Sequence, residues 1–392
     1  MPPVRKYMTT LLVAMAIASS VAGRPPELGM PAQTTLPALW GCRLEGCCIT
    51  DDGGIIAVGS AGTRDLDVHS LYAVKLDACC RRQWELTETR GSSISACDVL
   101  QIGRGYTLGG ELTTRGGDRD GFIMRLDYFG RELWSTTLGG SEDDAIMDIA
   151  PAPDFGCYMV GFTESEGAGE KDVWVLRMDA DGGTRWSRCF GGPSSEVGYD
   201  ICVLPDQRLV VCCACGEGVE LLFLDSEGHL VEQRLVEGCE NGGRARSVVA
   251  SEEGDLFLAG ASEESDGYLL DALVVAEDRQ GGRLWERRMG GELNDCGCKI
   301  CMVGDSLLLA YNTMSQGAGS YDAVLELVSL QGELLGSSSF GDEGWNRVCD
   351  MEVDSTGRVF LCGVTGPADG RRHDGWVVLA TLPEGPWEEV GF

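Results

Sequence analysis

Short runs of alternating apolar and polar residues fill this chain from Trp40 onward, and no stretch shows the three-and-four spacing of an amphipathic helix. AIMDIAPA (145–152) and CYMVGFT (157–163) are two such runs, separated by the turn Pro153-Asp154-Phe155-Gly156. DVWVLRMD (172–179) is a third, and TRWSRCF (184–190) is a fourth, reached through Asp179-Ala180-Asp181-Gly182. Period-two runs of this length bounded by turn residues predict β-strands.

The unit recurs. Its second run reads GGIIAVGS from Gly53, GYTLGGEL from Gly105, GCYMVGFT from Gly156 and RLVVCCAC from Arg208. It continues as DLFLAGAS from Asp255, SLLLAYNT from Ser306 and RVFLCGVT from Arg358. The position that opens each copy falls at Trp84, Trp134, Trp186, Glu232, Trp285, Gly336 and Trp387, with spacings of 50, 52, 46, 53, 51 and 51 residues. A period near fifty with four strands per copy predicts an all-β fold, a single seven-bladed β-propeller of four-stranded antiparallel blades. Asp-x-x-Gly between the third run and the Trp run is a tight reversal, which makes the Trp run the outermost strand of its own blade. The blades then span 42–90, 91–140, 141–192, 193–238, 239–291, 292–341 and 342–392, and the ring closes with no exchanged strand. The alternative gives the tail from Trp387 to the first blade as a clasp.

The whole chain after its leader resembles the tandem propeller repeats of bacterial exported proteins. The resemblance rests on W-x-x-x-x-G-G, on D-G-G followed by an apolar run, and on D-x-x-G-x-x-x-W. The last piece, similar to the blade endings of quinoprotein-type propellers, is carried by Asp127, Gly130 and Trp134, by Asp179, Gly182 and Trp186, and by Asp278, Gly281 and Trp285. Glu232, Gly336, Ser329 and Thr381 depart from it. The resemblance implies a binding or scaffold role.

Composition adds a compartment. Residues 1–23 read as a secretory signal: Arg5 and Lys6, an apolar stretch from Leu11 to Val21, then small residues at Ser20-Val21-Ala22. Residues 24–41 read as a Pro-rich linker and 42–392 as the propeller, which makes the protein secreted or displayed at the cell surface. A net charge of −31 repels phosphate backbones and anionic lipid, so nucleic acid and membrane insertion are excluded as partners. The 18 cysteines do not recur at one repeat position; many lie inside strands, as small buried thiols. The chain reads as a monomer.

Two sets of acidic residues are candidates for binding. The long loops between blades and between second and third strands share one face of the disc. They carry Glu142, Asp143 and Asp144; Glu164, Glu166 and Glu170; Glu263, Glu264 and Asp266; Glu292 and Asp295; Asp342 and Glu343. Loop-bearing faces and central channels are where propellers take ligands. Asp148, Asp200 and Asp350 fall at one position of the inner strand, with Asp98 within one residue of it. They form either a carboxylate ring in the channel or a set of hydrogen bonds to backbone within each blade.

Signals for catalysis are sparse. His69 and His373 occupy equivalent places a blade apart, and Cys298 and Cys301 form one Cys-x-x-Cys with no second pair. Asp179-Ala180-Asp181-Gly182 reads as a turn rather than a calcium loop, since no Glu follows at the required spacing. No cofactor is expected beyond weak calcium. The leading expectation is a non-catalytic module whose loop face binds a protein or a glycan. The alternative is a carbohydrate-active enzyme using paired loop carboxylates.

Overall fold

The structure is a computed structural model and describes residues 32–36, 41–62, 69–237, 239, 244–263, 270–317, 320–367 and 373–382. It is a seven-bladed β-propeller, each blade a four-stranded antiparallel sheet, with no helix among the described residues. The inner strands are Cys42–Ile49, Ser93–Ile102, Asp144–Pro151, Val197–Val203, Arg244–Ala250, Asp295–Val303 and Trp345–Val353. The next strands outward read as continuous apolar runs because both their faces are covered; all seven residues of Cys157–Thr163 are buried.

Seven apolar clusters fill the seven interfaces between neighbouring blades. Ile56 and Val58 of the first blade pack with Tyr106 and Leu108 of the second. The last cluster joins Leu44 and Val74 of the first blade to Phe360 and Val377 of the seventh, closing the ring. Every blade thus buries both faces against like neighbours.

The recurrent Asp-x-x-Gly-x-x-x-Trp now has a physical account. The Asp carboxylate folds back onto its own turn: Asp127 Oδ1 accepts from the N–H groups of Phe129 and Arg131 at 2.8 and 2.9 Å. Asp179, Asp225 and Asp278 repeat that pair of bonds. Asp179 is therefore occupied by its own backbone, as a turn residue is. The Trp side chain reaches the following blade and lies under the glycine of its turn. Trp84 Nε1 donates to Tyr128 O at 3.2 Å, and Trp186 Nε1 to Ser226 O at the same distance. Where Glu232 replaces Trp, Arg234 fills the space beneath Gly281, stacked over Phe223 at 4.5 Å and paired with buried Glu277 at 3.1 Å.

The closure differs from the expected one. The fourth strand of the seventh blade is Ala32–Leu36, from the segment read as linker, which pairs antiparallel with Asp374–Thr381 through Thr34 opposite Val377. An N-terminal strand is thus exchanged across the seam. Thr34 Oγ1 also donates to Cys80 O of the first blade at 3.1 Å. The expected strand at Trp387, the signal at 1–23, Glu264 and Asp266 lie outside the described residues.

Candidate binding site at the channel

Every inner strand carries a β-bulge at the same register. The residue just after it occupies one position around the axis: Gly46, Asp98, Asp148, Asp200, Ser247, Lys299 and Asp350. The carboxylates here stitch one blade to the next rather than bonding within their own. Asp98 Oδ2 accepts from Ile149 N–H at 3.2 Å, Asp148 from Ile201 at 2.9 Å, Asp200 from Val248 at 2.5 Å and Asp350 from Cys47 at 2.8 Å. Ser247 Oγ makes a longer version to Ile300 N–H at 3.4 Å. Gly46 has no room for a side chain, since a Cβ there would lie 2.4 Å from Cys97 O. Lys299 cannot accept, and at that interface Asn312 takes over, bonding both the N–H and the C=O of Val348 at 2.8 and 2.9 Å.

With one oxygen committed to a stitch, each carboxylate has the other left for the channel. Lys299 Nζ lies 3.7 Å from Asp200 Oδ1 and 3.5 Å from Asp350 Oδ1. Burial works against its ammonium, but Asp350, Asp200, Asp148 and Asp98 outweigh it and hold the proton well above the usual lysine range. Burial, then Asp350, pushes Asp98 up to about 7. Burial, then Asp200, raises Asp148 well above the carboxylate range. Glu352, two residues further along the strand from Asp350, is pushed up to about 8 by burial and then by Asp350.

This ring divides the channel into two cups. The cup on the tight-turn face, about 480 Å³, is lined by apolar strand ends such as Ile149, Ile201 and Val249, together with Glu352. The cup on the loop-bearing face, about 350 Å³, is lined by Arg43, Glu45, Cys97, Glu111, Tyr199 and Arg246 above the ring. Its wall comes from the bulge residues, among which only cysteine recurs: Glu45, Cys97, Met147, Tyr199, Arg246 and Cys349. Arg246 stacks over Tyr199 at 5.5 Å, and Arg43 pairs with Glu45. Burial raises Glu45 against the pull of Arg43. Burial, then nearby carboxylates, raises the Cys97 and Cys349 thiols well up, so neither offers a thiolate nucleophile.

The acidic loop residues do not converge. Glu142, Glu166, Glu292, Asp342 and Glu343 are exposed on the rim. Asp143 holds Arg119 at 2.7 Å, and Glu164 lies 3.6 Å from Lys171. Asp144 and Asp295 are fully buried caps on interblade loops. Asp148, Asp200 and Asp350 belong to the ring. Among the described residues no three His, Cys, Asp or Glu side chains gather as metal ligands. The cup's basic and aromatic residues, Arg43, Arg246, Tyr199 and Lys299, escape a search for acidic clusters; only their register beside the bulge gives them away.

No protein-family model and no curated protein matches the sequence. Solved structures do match, and they are β-propellers. Sqt1 from Chaetomium thermophilum is 13% identical, with a TM-score of 0.52 over 88% of this chain and 97% of its own. YCF48 bound to D1 peptide is 12% identical, with a TM-score of 0.54 over 92% and 97%. The polysaccharide lyase Uly1 is 9% identical, with a TM-score of 0.54 over 88% and 91%. At these identities the likeness is one of fold, a fold shared by binding proteins and enzymes alike. No helix among the described residues is long and apolar enough to cross a membrane.

Proposed function

We propose that this protein is an exported, non-catalytic binding module of the bacterial propeller-repeat kind, and that it takes a polypeptide segment in the cup on its loop-bearing face. One observation carries the reading. Repeat positions that hold blades together draw on one chemistry in most blades: four of the seven stitching positions are aspartate, and Asp127, Asp179, Asp225 and Asp278 bond their own turns alike. Those that line this cup vary more, with Glu45, Met147, Tyr199 and Arg246 around the bulge positions and only cysteine recurring among them, as suits a site shaped to one asymmetric ligand. Arg43, Arg246 and Lys299 beside Glu45, Glu111 and the ring carboxylates offer both signs of charge, and Tyr199 offers an aromatic surface. Mixed charge with an aromatic anchor suits a peptide better than a uniformly anionic glycan. That the similar YCF48 propeller is solved with a peptide supports the choice of ligand class.

Peptide-library panning on the purified protein tests the reading, with a triple variant Arg43→Ala, Tyr199→Ala, Arg246→Ala as control. Selected peptides are expected to bind the wild type and to lose at least ~tenfold in affinity on the variant, about 1.4 kcal/mol. Peptides that bind both equally would remove the cup from the proposal. Cleavage of an acidic polysaccharide by the wild type would replace it with the enzyme reading.

A further inference from the structure

Two interblade loops on the loop-bearing face repeat one construction that the cup does not use. Gly139-Gly140 covers the start of the third blade, and Gly140 N–H donates to Asp144 Oδ2 at 2.8 Å. The Ser165 hydroxyl donates to the same oxygen at 2.7 Å. In the sixth blade Gly291 N–H and Ser315 Oγ bond Asp295 Oδ2 at 2.9 and 2.7 Å. Both aspartates are 0% exposed. In both, the second oxygen, Oδ1, is buried with no hydrogen-bond partner. A buried carboxylate oxygen left without a donor or cation is strongly unfavourable.

A second carboxylate stands beside each. Asp120, from the second blade, shares the space above Gly139: a Cβ built there would meet Asp144 Oδ2 at 2.5 Å and Asp120 Oδ1 at 2.9 Å. Among the described residues no donor bonds the Asp120 side chain. Burial, then Asp144 and Asp118, raises its proton affinity, and no cationic side chain offsets them. Asp271 holds the equivalent strand position beside Asp295: the preceding Leu270 N–H donates to Asn294 Oδ1 at 3.0 Å, as the Arg119 N–H before Asp120 donates to Asp143 Oδ1 at 2.9 Å, and Arg288 partly offsets the repulsion there. The third loop of this kind differs. Asp172 Oδ2 accepts from Ala168 and Gly169, Glu196 Oε2 accepts from Gly192, and neither residue has an orphaned oxygen.

We propose that Asp120 with Asp144, and Asp271 with Asp295, each hold one hard divalent cation of the calcium type between neighbouring blades. The ion satisfies the orphaned Oδ1 and cancels the repulsion between the two carboxylates. Hard cations of this size take six to eight oxygens, so two carboxylates leave most positions to water and loop carbonyls. Such a site belongs in the weak class, roughly 10⁻⁴–10⁻³ M, which extracellular modules use. Arg288 makes the second site the weaker of the two.

Terbium luminescence on the full chain tests this, because the Trp174 ring edge lies 3.2 Å from the Cβ position of Gly121, next to Asp120. Excitation of tryptophan is expected to give saturable terbium emission that millimolar calcium displaces, and calcium is expected to raise the melting temperature. Asp120→Asn, which disturbs no hydrogen bond of the fold, is expected to weaken terbium binding at least ~tenfold and remove most of the emission. In chelator its melting temperature should equal or exceed that of the wild type. Emission without saturation, or equal binding by Asp120→Asn, would overturn the site. So would a melting temperature indifferent to calcium, the behaviour of a pair that shares a proton instead.

Discussion

Lys299 and the carboxylates around it set the ionic balance of the channel. Asp98, pushed up to about 7, and Glu352, pushed up to about 8, hold their protons more tightly in the folded chain than carboxyls do in an unfolded one. Between roughly pH 4 and those values the folded state binds more protons, so stability falls as pH rises. Asp52 has the opposite sign. The Thr50 hydroxyl and Lys75 hold it below the usual range despite burial, so its contribution is lost only below roughly pH 4. The wild type is therefore expected to melt higher at pH 5 than at pH 8 in calorimetry. Asp98→Asn keeps an oxygen for the Ile149 N–H and should narrow that difference. Lys299→Met leaves the ring without its ammonium and should lower the melting temperature most at pH 8, where the carboxyls are ionised. An equal loss at both pH values would mean that Lys299 acts by packing alone.

At the scale of the strand and its turn, the tie between a Trp and the next blade's glycine is the repeating unit of cohesion. Trp186 is buried, its Nε1 bonds Ser226 O, and a Cβ on Gly228 would come within 2.9 Å of its ring. Trp186→Ala is expected to cost about 3–5 kcal/mol in denaturant unfolding, as large aromatic truncations do. Gly228 and Gly254 both have positive φ, at 77° and 90°, so alanine strains the backbone at either. Only at Gly228 does the methyl also strike an aromatic ring; at Gly254 its nearest neighbour is Arg279 Cβ at 3.6 Å. Gly228→Ala should therefore lose clearly more stability than Gly254→Ala, and equal losses would show that the Trp moves aside freely. The turn and the Trp strand were legible in the sequence because turn chemistry is local, with Asp, Gly and Trp lying within eight residues of one another, whereas the tie itself joins Trp186 to Ser226 40 residues on. The stitches were not, because Asp98 and Ile149 are 51 residues apart and meet only through ring packing. The bulge that gathers Arg43, Tyr199 and Arg246 at the cup has no residue signature of its own, and Lys299 reads in sequence as one strand lysine beside a cysteine. Arg234 taking the place of Trp, two residues off the repeat position, was invisible for the same reason.

At the scale of the whole ring, everything depends on how the seventh blade meets the first. A segment of five residues, AQTTL, supplies the outer strand of the seventh blade, and neither its composition nor the fifty-residue period marks it as a strand. It lies next to prolines and belongs to a blade whose other strands come more than three hundred residues later, so only the closed ring identifies its partner. Its contacts make it a clasp. The strand pairs along Asp374–Thr381, Thr34 reaches the first blade, Leu36 enters the closing apolar cluster, and Cys42 Sγ donates to Leu36 O at 2.9 Å. Cleavage at the small residues before position 24 would leave this strand in place. A chain beginning at Gly41 would lack it and expose the backbone of Asp374–Thr381 as an unpaired, apolar edge. Such edges recruit other strands. The shortened protein is expected to melt at lower temperature and to associate in size-exclusion chromatography, and a synthetic peptide covering 30–38 added in trans should reverse both. Full stability of the monomeric truncated chain would mean that the first and seventh blades hold through their facing side chains alone, with the clasp contributing nothing to closure.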